Sequence, residues 1–183
     1  TISGNYIGTN PAGTSAVPNG AFGVHLLFTS ESTVGGDSAA AGNLISGNSI
    51  GGISVQGGGA HLIRHNRIGT AADGVSPLGN LGNGISLTGN GNQVRDNLIA
   101  FNGNTGAVIF SDGNILAGNT LRANGWSGMQ VSGANNTIGG TTAAARNIVA
   151  GNGQSGLSIV GAGAAGNLIQ GNYIGVAADG VTA

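Results

Sequence analysis

The sequence predicts an all-β fold: a single-stranded parallel β-helix of about six complete coils, each with three short strands. Three observations predict it. A phrase of the form Asn-x-aliphatic recurs along the whole chain. Two further aliphatic columns keep fixed offsets from it. Glycine, at 39 of 183 residues, supplies the corners that such short strands require.

The first element is the phrase itself. It reads Asn5-Tyr6-Ile7, Asn43-Leu44-Ile45, Asn66-Arg67-Ile68, Asn97-Leu98-Ile99, Asn119-Thr120-Leu121, Asn147-Ile148-Val149 and Asn172-Tyr173-Ile174. The asparagine is fixed, the next residue varies, and the third is aliphatic. That is strand alternation, with the third residue facing inward.

The second element follows a glycine: Gly23-Val24, Gly52-Ile53, Gly84-Ile85, Gly106-Ala107, Gly128-Met129 and Gly156-Leu157. Its first apolar residue lies 10 positions after the anchor in four coils and 19 after it in two, Asn5 to Val24 and Asn66 to Ile85. Two discrete spacings indicate one scaffold with an optional insertion. The third element is a lone aliphatic: Val34, Ile63, Val94, Leu116, Ile138, Ile169. The next anchor follows three residues later in four coils and nine later in two. The two longer connections, 35–42 and 139–146, each hold three alanines after a hydroxyl or carboxylate. They read as single capped helical turns, with Asp37 a candidate cap.

Stacked coils lie about 4.7–4.9 Å apart, so equivalent residues form columns. The anchors Asn5, Asn43, Asn66, Asn97, Asn119, Asn147 and Asn172 are expected to form an amide ladder, each side chain donating to and accepting from its neighbours. Asparagine also tolerates the left-handed backbone of a sharp bend. A second ladder is Asn92, Asn114, Asn136, Asn167, with Ser32 and His61 substituting. A partial third is Asn48, Asn102, Asn124, Asn152.

Composition narrows the class. Charged residues make up 6% and hydrophobic residues 39%, the opposite of a disordered chain. The net charge of −1 provides no electrostatic footprint for nucleic acid or an anionic membrane. Absence of cysteine excludes disulfides and thiolate metal sites. Apolar runs are too short to span a bilayer, and the first residues, Thr1-Ile2-Ser3-Gly4-Asn5, do not have the pattern of a signal peptide.

On Gly171-Asn172-Tyr173-Ile174-Gly175, Asn136-Thr137-Ile138-Gly139-Gly140 and Arg146-Asn147-Ile148-Val149-Ala150-Gly151-Asn152, the chain resembles bacterial β-helix repeat proteins. More distantly it is similar to the pectate-lyase-like superfamily. The resemblance covers essentially the whole chain. It implies a right-handed helix and a secreted or cell-surface setting, usually without a defined activity.

Candidate chemistry is sparse. Glycosidases of that superfamily use paired carboxylates on one strand face. The corresponding outward column here, His25, Ser54, Ser86, Val108, Gln130, Ser158, holds no acid. Asp73 and Asp179 sit in equivalent Ala-Ala-Asp-Gly turns, and Glu31 and Asp112 fall three coils apart. The one charged cluster is Arg64, His65, Arg67, Arg95 and Asp96. Register places Arg64 over Arg95 and His65 over Asp96, an arrangement that suits either a ligand site or a solvated surface pair. The lyase reading lacks calcium-binding acids. Gly161-Ala162-Gly163-Ala164-Ala165-Gly166 spells a dinucleotide motif but leads into a strand rather than a helix. His25, His61 and His65 share no column. The outward strip Tyr6, Leu44, Arg67, Leu98, Thr120, Ile148, Tyr173 is apolar enough to be a contact face or to lie under the insertions.

The sequence thus favours one domain over 1–183, with no capping helix evident at either end. It is expected to be a non-catalytic extracellular structural or surface-display module, such as a spacer, filament or matrix element. A carbohydrate-binding or carbohydrate-processing β-helix is the alternative. No catalytic residue, metal or cofactor is assigned. Expected partners are further β-helix coils, stacked head to tail or covalently continued, and glycans, without nucleic acid or membrane insertion.

Overall fold

The computed structural model describes residues 1–176, so Asp179 and its turn lie outside the described residues. Strands, numbered β1–β19 in chain order, form three parallel sheets. The anchor sheet holds β1 (Tyr6–Ile7), β4 (Leu44–Ile45), β7 (Arg67–Ile68), β10 (Leu98–Ala100), β13 (Thr120–Arg122), β16 (Ile148–Ala150) and β19 (Tyr173–Ile174). A second sheet holds β2 (Phe22–Leu27), β5 (Gly51–Gln56), β8 (Ile85–Leu87), β11 (Ala107–Ile109), β14 (Met129–Val131) and β17 (Leu157–Ile159). The third holds β3 (Thr33–Gly35), β6 (Leu62–Arg64), β9 (Gln93–Arg95), β12 (Ile115–Ala117), β15 (Thr137–Gly139) and β18 (Leu168–Gln170). Every strand pairs with its equivalent one coil away, in the register set by the aliphatic columns: Ile45 with Ile68, Ile68 with Ile99, Ile63 with Val94, Ile53 with Ile85. This is a parallel β-helix.

The core is the inside of the tube. Ile45, Ile68, Ile99 and Leu121 of the anchor sheet meet Ile85, Leu87 and Ile109 of the second and Ile63, Val94 and Leu116 of the third, all fully buried. Burial of each such side chain contributes about 1.5–3 kcal/mol. Because strands of two or three residues bury little individually, it is the stacking of coils that makes the core continuous.

The amide ladders form as expected, and their polarity is uniform. Asn97 accepts on Oδ1 from the Asn66 backbone N–H (3.0 Å) and Nδ2 (3.0 Å). Its own Nδ2 donates to Asn119 Oδ1 (3.0 Å) and back to the Ile63 carbonyl (2.9 Å). The same pattern runs from Asn5 to Asn172. The third ladder is longer than the sequence reading gave it. Asn19 donates to Asn48 Oδ1 and Asn48 to Asn80 Oδ1 (both 2.8 Å), and Asn80 donates to Asn102 Oδ1 (2.9 Å). Each insertion therefore ends in an asparagine that rejoins the column.

Two local expectations are corrected. Left-handed backbone falls not on the ladder residues but on the residue before them: His65 (φ 56°), Asp96 (φ 56°), Phe101 (φ 60°), Ala123 (φ 53°) and Asn135 (φ 56°). The ladder asparagine must aim its N–H and its side chain along the stack, so the preceding residue takes the bend. The alanine turns are 3₁₀ turns, Ala39–Ala41 and Ala143–Ala145. Thr142 caps the second through the Ala145 N–H, but the first has no side-chain cap at Ser38, and Asp37 instead pairs with Arg64.

Candidate functional site

Every arginine of the chain lies within three residues of an anchor asparagine: Arg64 and Arg67 beside Asn66, Arg95 before Asn97, Arg122 after Asn119, Arg146 before Asn147. Stacking gathers Arg64, Arg95 and Arg146 along the junction of the third and anchor sheets, whereas Arg122 ends β13 on the side that leads to the second sheet. Arg64 and Arg95 are direct register partners, as the repeat predicts.

The arginines have distinct local partners. Arg64 reaches the exposed carboxylate of Asp37. The Arg95 Nε donates to Gln93 Oε1 (2.9 Å). Arg67 donates to the Ala72 carbonyl (3.1 Å) and Arg122 to the Gly74 carbonyl (3.0 Å), so two guanidinium groups hold the long loop after β7 against the anchor sheet. Arg122 also lies 4.9 Å from the Phe101 ring centroid, and Arg146 lies 3.9 Å from that of Tyr173. Within that loop, Asp73 accepts from the Val75 and Ser76 N–H groups (both 2.8 Å), which is the turn role read from its Asp-Gly pair. The hydrogen bond from the Ser76 hydroxyl is the chief reason its carboxyl pKa is held below the ordinary value.

His65 and Asp96 occupy equivalent corners, with the His65 N–H donating to the Arg95 carbonyl (3.2 Å). Their side chains do not join. Among the described residues the one ion pair is Arg64 with Asp37. The Asp96 carboxylate extends toward the next coil, where a Cβ on Gly118 would lie 2.2 Å from its Oδ1. The predicted His65–Asp96 pair is therefore corrected: register aligns the backbones, but the carboxylate points away. Both residues hold a left-handed corner that Gly4, Gly118 and Gly171 fill in other coils. A histidine or aspartate pays some strain there that glycine does not.

Beside this corner is a groove of about 320 Å³. One wall is the first alanine turn (Ala39, Ala40, Gly42), the floor is Asn43 and Leu44, and Tyr6, His65 and Arg67 complete it. Tyr6, Leu44 and Arg67 are consecutive members of the outward anchor-sheet column. Leu44 is buried, because the loop after β1 folds over it, and a Cβ on Gly13 would meet Leu44, Ala72 and Tyr6. That part of the apolar strip is thus covered by insertions, while Tyr6 remains 51% exposed. Of the predicted cluster, the groove gathers His65 and Arg67; Arg64 lies behind them, and Arg95 and Asp96 belong to the next coil. Tyr6 and the alanine wall were not among the predicted site residues. Tyr6 shares a column with Arg67 and was legible in the repeat. The wall depends on where a loop lies in space.

A family model described as a right handed beta helix region matches residues 35–182. The chain belongs to that family. The coil is accordingly right-handed. No curated protein matches the sequence. Among solved structures, the chain is similar to a double mutant of the periplasmic alginate epimerase AlgG, with 18% identity over 83% of this chain and 47% of that one and a TM-score of 0.50. A single-site mutant and the unmutated form of the same protein match over 81% of this chain at 18% identity, with TM-scores of 0.47. At this identity the likeness shows the fold alone. The chain spans about half the length of these structures.

Proposed function

We propose that this β-helix domain binds anionic polysaccharide, with the groove of Tyr6, His65 and Arg67 as its principal contact. The single observation that carries this reading is the groove itself, which a half-exposed phenol, an imidazole and a guanidinium line above Asn43 and Leu44. An aromatic ring presents a face to a sugar ring, and arginine recognises carboxylate or sulfate. Arg95, the register partner of Arg64, adds a further cation one coil on. The reading takes up the carbohydrate alternative of the sequence, and a fold-sharing neighbour is named for action on alginate, a polysaccharide. It places the domain outside the cytoplasm, where such polymers occur. Binding without cleavage is the form we favour, because the His65 and Asp96 side chains do not converge.

Calorimetric titration with acidic and neutral oligosaccharides tests this. Acidic oligomers are expected to bind with an affinity that falls as salt rises, and Tyr6→Ala and Arg67→Ala should each weaken binding about tenfold or more. Arg67→Ala also loosens the loop at Ala72, so Tyr6→Ala is the variant that isolates the groove. Equal affinity in both variants, or no binding of acidic oligomers, refutes the site. Release of unsaturated or epimerised products would replace binding with processing.

A further inference from the structure

The turn that precedes each strand of the second sheet is the chemical opposite of the arginine edge. In the described coils it comprises residues 19–22, 48–51, 80–83, 102–105, 124–127 and 152–155, and holds no charged residue. Ladder asparagines fix its inner side. Its outer side carries Asn104, Trp126 and Gln154 in one column, all exposed. The backbone locks that column: the Trp126 N–H donates to the Asn104 carbonyl (3.1 Å) and the Gln154 N–H to the Trp126 carbonyl (2.9 Å). An indole, 54% exposed, thus stands with one amide side chain a coil before it and one a coil after.

The adjoining column explains why the ring is bare. After Leu81 it runs Gly103, Gly125, Gly153, and a Cβ on Gly125 or Gly153 would lie 2.2 Å from the carbonyl oxygen of the preceding glycine. Close stacking of the turn in these three coils favours glycine. The result is a trough without side chains beside Trp126. On the other side, Thr105 and Ser127 are buried and add no bulk.

We infer that this Asn104–Trp126–Gln154 strip is a second binding surface, for a neutral glycan. An indole offers a flat apolar face with a polar edge, suited to the C–H face of a sugar ring. Amides are both donors and acceptors, as sugar hydroxyls are, so flanking amides pair with hydroxyls in either sense. A protein helix would call for apolar neighbours around the tryptophan; one coil to either side Trp126 has amides and glycines, and the exposed Leu81 and Ile50 lie two and three coils away. The turn itself carries no cation to recruit an acidic polymer. The inference stands apart from the proposed groove, which lies at a different corner of the coil and selects the opposite charge class.

Trp126 is the sole tryptophan of the chain, so intrinsic emission reports this strip directly. Titrating the whole protein with a neutral β-linked glucan or xylan oligomer should give a saturable change in emission. Acidic oligomers of the same length should give none. Asn104→Ala and Gln154→Ala are each expected to weaken the response about fivefold, the loss of one or two exposed hydrogen bonds. Trp126→Ala, followed by calorimetry, should abolish neutral-glycan binding while leaving acidic-oligomer binding in place. Arg67→Ala should do the reverse, which separates failure of this surface from failure of the groove. No emission change with neutral oligomers at millimolar concentration overturns the inference. So does an unchanged affinity in the Asn104→Ala, Gln154→Ala double variant, or self-association of the protein through this face in light scattering.

Discussion

Replacing Asn97 by alanine removes the middle rung of the first ladder, and the structure states what is lost. The Asn66 backbone N–H and Nδ2, both bonded to Asn97 Oδ1 at 3.0 Å, lose that acceptor inside a wall where both residues are buried. The Ile63 and Arg95 carbonyls lose a donor (both 2.9 Å), and Asn119 Oδ1 loses one of its two. Each buried polar group left without a partner costs about 1–3 kcal/mol. Asn66 retains one amide bond to the Val34 carbonyl, so the expected loss is about 3 kcal/mol, above the cost of a single lost bond. The assay is urea denaturation followed by circular dichroism, with hydrogen exchange read at the Asn66 amide. Gln56→Ala, an exposed strand-end change, is the control. A loss below about 1 kcal/mol, with unchanged protection at Asn66, refutes the ladder as a stabilising device.

Two further outcomes follow from the walls of the helix. His61 replaces an asparagine in the second ladder: its Nδ1 accepts from the Ser32 N–H (3.0 Å), its side chain is buried, and Nε2 has no partner among the described residues. Burial holds its pKa below the ordinary imidazole value, so the folded state binds fewer protons than the unfolded chain. Stability is therefore full above about pH 6.5 and falls as pH drops below it, by at most about 1.4 kcal/mol per pH unit until the folded pKa is reached. His61→Asn should flatten that slope in urea titrations run from neutral to mildly acidic pH, and an unchanged slope would assign it elsewhere. Gly35→Ala meets both a left-handed backbone (φ 103°) and the Arg64 carbonyl oxygen, 1.8 Å from the added Cβ, and should cost well above about 2 kcal/mol. Gly91→Ala, at φ 66° with open space around it, should show the backbone cost alone, about 1 kcal/mol, in the same thermal melts.

Much of the third ladder was present in the sequence without being recognised there. Measured forward from the anchors, Asn19 and Asn80 look like loop residues. Measured backward from Val24 and Ile85, they lie five residues before the second column, the same offset as Asn48 from Ile53 and Asn102 from Ala107. A solenoid keeps register at the strand, not at the insertion, so the strand is the better origin for counting. The bend residues were misassigned for a different reason. Asparagine is permitted in the left-handed region, and only the hydrogen-bond directions of the ladder show that the residue before it must bend instead.

The repeat alone set the three columns, the two classes of insertion, the anchor ladder and the alignment of Arg64 with Arg95, because each is a periodic property and a β-helix converts period directly into position. It also placed Tyr6 and Arg67 in one column. The folded chain was needed to show which way Asp96 turns, that Asp37 pairs with Arg64 rather than capping a turn, that Leu44 is covered while Tyr6 is not, and that the alanine turn closes one wall of a groove. Those outcomes depend on side-chain direction and on loops folding back over neighbouring coils. Neither repeats with the coil, so neither leaves a periodic trace in the chain.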